Sequence, residues 1–324
     1  MKPKLKNKKE MCEVCQTNSI FTVNSAESRY DPTRTTVLRN TFARASNVRY
    51  DRFVSTVVAA IVQQDVFGLN RPTTYNSLPP SQAFAFRTDP QKVEAFLAWI
   101  QTLIDQQLLT VTSVPRIGQT LDARWTDMYI EDSYKRGVIR ARSEMRKAGM
   151  AGVPTIDQTG GIAAVMAAPA HIDRVGILFI RTFEELKGIN SQMATQISRV
   201  LSQGLIDGDD GRTLARKLRR TITGMGEDLG ITDSLGRFIP AKRRAEIMTR
   251  TEIIRAHHRG MIQEYRNWGL EGVSVQAEFR TAQDNRVCPK CDALHGNVFS
   301  LDEAENLIPV HPQCRCIVLP FMSR

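Results

Sequence analysis

From Leu38 onward apolar residues recur at three- and four-residue steps: Leu38, Phe42 and Ala45, then Phe53, Val54, Val57, Val58 and Ile61. That period predicts an amphipathic helix running to about Phe67, with Gly68 as its stop. After a turn-rich connector over 70–81, Asp89-Pro90 reads as an N-cap followed by proline at the first helical position. Val93, Phe96, Leu97, Ile100, Ile104 and Leu108 supply the buried stripe of this second helix. Leu121, Trp125, Met128 and Tyr129 open a third, which turns basic through Lys135, Arg136, Arg140, Arg142, Arg146 and Lys147 before Gly149. Residues 31–150 are therefore expected to form a helical domain, packed as a bundle.

Scattered glycines, prolines and alanines predict a loose linker over 151–175, and 176–240 reads as a helical arm. The arm's first helix carries Leu186, Ile189, Met193, Ile197, Val200, Leu201 and Leu205. Asp207-Gly-Asp-Asp-Gly211 is similar to the opening of a calcium loop, but Leu218 stands where the closing glutamate would be; Asp210 is better read as an N-cap. Residues 241–268 form one more helix, stopped by Gly269. The period then drops to two over Val273, Val275, Ala277 and Phe279, which predicts a strand, and a second is expected at Cys316 to Leu319, closed by Pro320. Residues 1–30 read as a basic flexible tail containing Cys12-x-x-Cys15. The fold class is thus mainly α, an elongated helical N-terminal region followed by a small α+β domain over 241–324.

Charge narrows the partners. Of 324 residues, 44 are Lys or Arg and 34 Asp or Glu, a formal +10, which favours polyanions or acidic protein surfaces. Lys4, Lys6, Lys8, Lys9, Arg140, Arg216, Arg219 and Arg220 are the candidate contacts to duplex DNA or an acidic partner, through phosphates and without sequence specificity. The runs lack interleaved aromatics, so single-strand stacking gains no support. The opening lysines are followed by no apolar core of a secretory signal, and no apolar run reaches the length of a membrane span.

The cysteines fall in two groups, Cys12 and Cys15, then Cys288, Cys291, Cys314 and Cys316. In a chain made to stay in a cytosol, clustered Cys near His points to metal rather than disulfides. Cys288-x-x-Cys291 and, 19 residues on, His311-x-x-Cys314-x-Cys316 bracket a loop of the length zinc sites use. Four of these five are expected to bind a structural Zn2+, with Cys316 the preferred spare and His295 a further candidate. A thiolate-rich set is a staple, and the deaminase signature is missing.

These residues carry a resemblance. Arg250-Thr251-Glu252 opening a helix, Phe279-Arg-Thr-Ala-Gln-Asp284, Arg286-Val-Cys-Pro-Lys-Cys291, Leu294-His-Gly296 and His311-Pro-Gln-Cys-Arg-Cys316 resemble, in this order, the C-terminal domain of the phage Mu F-like minor head proteins. The likeness covers roughly 185–320; Tyr134-x-x-Gly137 resembles the family's N-terminal region more loosely. It implies a minor capsid or head-morphogenesis protein, found in the virion head near the portal and made in the host cytoplasm. Its implied partners are the portal protein, capsid or scaffold proteins, and packaged DNA.

Arg250, Glu252 and His257 share a helix, but no nucleophile or paired acid accompanies them in sequence. A structural salt bridge involving Arg250 and Glu252, joining this helix to the zinc-bearing segment, is the plainer reading, and no catalytic residue is assigned. The alternative is a zinc-dependent or nucleic-acid-processing enzyme acting during packaging or DNA entry.

Overall fold

A computed structural model describes residues 31–69, 89–116, 119–150, 152–224, 239–269 and 275–322. The tail with Lys4, Lys6, Lys8, Lys9, Cys12 and Cys15, the 70–81 connector and Val273 lie outside the described residues. Among the described residues the chain is mainly helical, with a small C-terminal sheet. Among the described residues no helix is long and apolar enough to cross a membrane.

Helix α1, Thr36–Val62, and α2, Asp89–Leu103, follow the apolar stripes, and a single wider turn, Ile104–Leu108, extends the second. The third helix begins later than its spacing suggests. Val111–Arg116 and Gln119–Arg124 are strands β1 and β2 of an antiparallel hairpin, Arg116 opposite Gln119, and α3 spans Asp127–Lys147. Leu121 fits a helical spacing with Trp125, yet it lies in a strand: the β-branched Val111, Thr112, Val114 and Thr120 favour extended backbone.

The stretch expected as a loose linker is also largely helical. A short turn at Asp157–Thr159 leads to α4, Gly161–Met166, and Pro169 opens the 38-residue α5, Pro169–Ile206. Gly160 and Gly161 sit at φ +83° and +86°, the region that suits glycine, so they turn the chain without interrupting a helix. Pro169 occupies a first-turn position, where its missing N–H costs nothing. Helices α6, Gly211–Thr223, and α7, Ala241–Gly269, are followed by β3, Val275–Arg280, the short α8, Pro289–Asp292, β4, Val298–Phe299, α9, Leu301–Glu305, and β5, Ile317–Met322.

Two compact units interleave along the sequence. One comprises Met1–Phe42, Thr126–Thr182 and Ile247–Arg324, the other Ala43–Trp125 and Phe183–Glu246. Three of their boundaries fall inside α1, α5 and α7, where the helical period runs on unbroken.

In the first unit α3 crosses α7 at backbone contact. A Cβ on Gly137 would stand 2.1 Å from the His257 carbonyl oxygen, and one on Gly260 2.4 Å from that of Tyr134. The hydroxyl of Ser133 donates to the Ile253 carbonyl at 2.6 Å in the same crossing. Beside it lies a buried polar network: Glu264 takes Arg142 and the Trp268 indole N–H, while His171 sits between the Tyr134 hydroxyl, 3.0 Å, and the Glu264 carboxylate, 3.2 Å. His171 is only 1% exposed. Glu305 of α9 gathers Arg174, Arg259 and Arg266.

The C-terminal sheet has the order β4-β3-β5, all antiparallel. Val275, Ala277 and Phe279 of β3 face the core, as their alternation predicts. Strand β5 runs on through Pro320 instead of ending there; an edge strand tolerates the missing donor.

In the second unit the Tyr50 hydroxyl donates to Asn190 at 2.6 Å, and the Arg49 guanidinium lies 4.4 Å over the Trp125 ring, whose N–H donates to the Leu108 carbonyl. Asp210 caps α6 by accepting from the Thr213 amide at 2.8 Å.

Candidate metal centre

Two turns of backbone carry the sulfur and nitrogen donors. Cys288 is the N-cap of α8, Pro289 takes the first helical position, and the Cys288 sulfur accepts from the Cys291 amide at 3.4 Å. This one-turn helix is what folds a Cys-x-x-Cys run so that both sulfurs leave from the same side. The second turn is closed by the Cys314 amide donating to the His311 carbonyl at 3.1 Å, with Gln313 at φ +59°. Register then sets Cys316: β5 begins at the next residue, with Ile317 opposite Arg280 of β3.

The donor atoms of Cys288, Cys291 and His311 lie within 4.8 Å of one another, and so do those of Cys291, Cys314 and Cys316. All five candidates therefore meet around Cys291. The four sulfurs are buried in the domain core with Ile254, Met261, Phe279, Ile308 and Val318. His311 is half-buried, and its Nδ1 donates to the Pro312 carbonyl at 2.8 Å, which fixes the tautomer and leaves Nε2 with a free lone pair. His295 is not brought to the cluster; its Nδ1 accepts from the Thr281 amide and its Nε2 meets Gln283.

Electrostatics in the nest favour a cation. Hydrogen bonds from the Cys291 and Cys316 thiols hold Cys314 well below the usual thiol range. Cys291 is pushed up, first by its hydrogen bond to Cys314 and then by that to Cys316 and by burial. Cys316 is lowered by its bond to Cys291 but raised on balance by Cys314 and by burial. One thiolate is favoured and the next is opposed by its charge. A divalent cation relieves that opposition, so the donor chemistry fits zinc.

Neighbouring side chains brace both turns. Asp284, at the exit of β3, takes Arg315 through both oxygens at 2.6 and 2.7 Å, and Arg315 holds its carboxyl down at about 2. The Gln313 amide donates to Thr251 Oγ1 at 3.0 Å, which docks the second turn on α7. His258, on the same helix, donates from Nε2 to the Ala304 carbonyl at 2.8 Å. Thr251, Asp284 and Arg315 are the supporting residues that spacing alone does not assign, although each stands inside a motif that drew notice.

Glu252, expected with Arg250 in a structural salt bridge, does form ion pairs, one within α7 and one to α5. Arg250 donates to Asn40, whereas Glu252 meets Arg255 and Arg181. Residues two apart on a helix project to nearly opposite sides, so these two part company, and Thr251 between them makes the link to the ligand turn. Arg140, expected on a contact face, is half-buried against the Pro32 carbonyl and Glu144. Arg216, Arg219 and Arg220 lie on the exposed side of α6.

No curated protein and no solved structure matches the chain. Residues 195–319, which span α6, α7, β3, β4 and the first residues of β5 and take in every candidate donor, match the family described as Phage Mu protein F like protein.

Proposed function

We infer that the chain is a structural, noncatalytic phage head-morphogenesis protein whose C-terminal domain is stapled by one zinc ion and docks on capsid-related partners, the portal protein foremost. It acts in the virion head near the portal and is made in the host cytoplasm. The observation that carries this reading is that the five soft donors converge inside the segment matched by the Mu F-like family. Four of Cys288, Cys291, His311, Cys314 and Cys316 hold the ion, with Cys291 central and Cys316 the spare. When bound, zinc supplies a cross-link between the α8 turn and the start of β5. A small domain with a thin core needs such a staple, and sets rich in buried thiolate are the structural kind.

The test is purification of procapsids assembled with and without portal. The chain is expected to sediment with portal-containing particles, and a full-length Cys288→Ser/Cys291→Ser variant to be lost from them. Absence of the wild-type chain from both procapsids and virions overturns the reading. For the spare ligand, Cys316→Ser is expected to keep zinc that Cys291→Ser loses; equal loss from both assigns Cys316 to the ion.

A further inference from the structure

We propose that the exposed face of α6 is a docking strip for duplex DNA, gripping its phosphates without reading sequence. Arg212, Arg216, Arg219 and Arg220 all lie on the exposed side of this helix. Their spacing of four, three and one residues places them on one face, and at ~1.5 Å per residue the strip is about 12 Å long. Duplex DNA carries one charge per ~1.7 Å of axis, so a strip of that length faces about seven phosphates. The opposite face is buried through Leu214, Leu218 and Ile222, which holds the arginine side outward.

The arginines are not spent within the protein. Lys217, on the flank, is taken by Asp209 at 2.5 Å and lies 3.9 Å from Asp207. Arg216 touches the Thr213 hydroxyl at 3.3 Å and stands near the capping carboxylate of Asp210. Among the described residues Arg212, Arg219 and Arg220 form no ion pair. The helix itself contains no Asp or Glu.

The chemistry of the strip selects its occupant. A protein interface concentrates apolar and aromatic anchors at its centre and excludes charge from it, and this face offers none between its arginines. Single-stranded nucleic acid calls for aromatic platforms, also missing here. A line of guanidiniums suits a regular array of phosphates. This deepens the head-protein reading and rests on it for where the chain meets duplex DNA.

Fluorescence anisotropy with the full chain and two duplexes of unrelated sequence tests the strip between 50 and 200 mM salt. Both duplexes are expected to bind alike. Replacing Arg212, Arg216, Arg219 and Arg220 together by Gln is expected to cost at least ~10-fold in affinity and to flatten the log K against log[salt] slope by about 3.6, at ~0.9 per phosphate contact. Single Arg216→Gln, which leaves the fold under less suspicion, is expected to flatten it by about 0.9. Unchanged binding and slope in both variants overturns the proposal, as does tighter binding to polyglutamate or to single strands than to duplex. Binding is read on purified protein, so its failure is distinct from absence from procapsids.

Discussion

Gly137 leaves the α3–α7 crossing no room for a side chain, because the atom opposite it is a backbone carbonyl that cannot rotate aside. Gly137→Ala is expected to cost about 3 kcal/mol as the helices part, read as a lowered urea midpoint at unchanged m-value. A second residue-scale outcome concerns acid. His257 is fully enclosed; burial first, then Arg140 and its neighbour His258, with Arg136 more weakly, press its pKa from 6.5 to about 3, while Asp31 opposes. A group depressed on folding gives stability that is complete above its unfolded pKa and is lost as pH falls. The domain is therefore expected to weaken below pH 6.5, by up to about 1.4 kcal/mol per pH unit from this residue, until the folded value near 3. Thermal melts of His257→Leu should show a flatter profile across that window; a profile as steep as the wild type's assigns the loss elsewhere. At this scale the convergence of the candidate donors was legible in sequence because their spacing is local. His171 and Glu264 were not, since the partners that make them buried network members come from distant helices.

At the scale of elements, the second ligand turn is held by a helix rather than by its own loop. Thr251→Val removes the acceptor for the Gln313 amide and is expected to lower zinc affinity by ~10-fold with stoichiometry intact, while Thr251→Ser keeps it; competition with a chromophoric chelator measures both. Asp284→Asn should act in the same direction by loosening Arg315. Long helices were readable from their apolar period, as α1 and α7 show. The hairpin of β1 and β2 was not, because each strand is six residues long and Leu121 with Trp125 also satisfies a helical spacing. The start of α5 was missed for another reason: Gly160, Gly161 and Pro169 look like breakers in sequence but stand at helix ends, where their geometry is welcome.

For the whole molecule, acid acts a second time through carboxylates. Asp284 and Glu305 sit at about 2, Asp284 through Arg315 and Glu305 because Arg266, Arg174 and Arg259 outweigh its burial, so their contribution is complete above the ordinary carboxylate range and fades as pH falls through about 2. The interleaving of the two units was beyond a linear reading, since boundaries inside continuous helices leave no mark in composition. Net charge favours a polyanion, and the proposed contact rests on the four arginines exposed on α6. Elemental mass spectrometry of the intact purified chain, followed by melting with and without chelator, decides whether the staple holds an ion. One zinc per chain is predicted, retained in Cys12→Ser/Cys15→Ser, lost in Cys288→Ser/Cys291→Ser, with a lowered melting midpoint once the ion is stripped. A chain that carries no zinc, or that melts identically after losing it, contradicts the account.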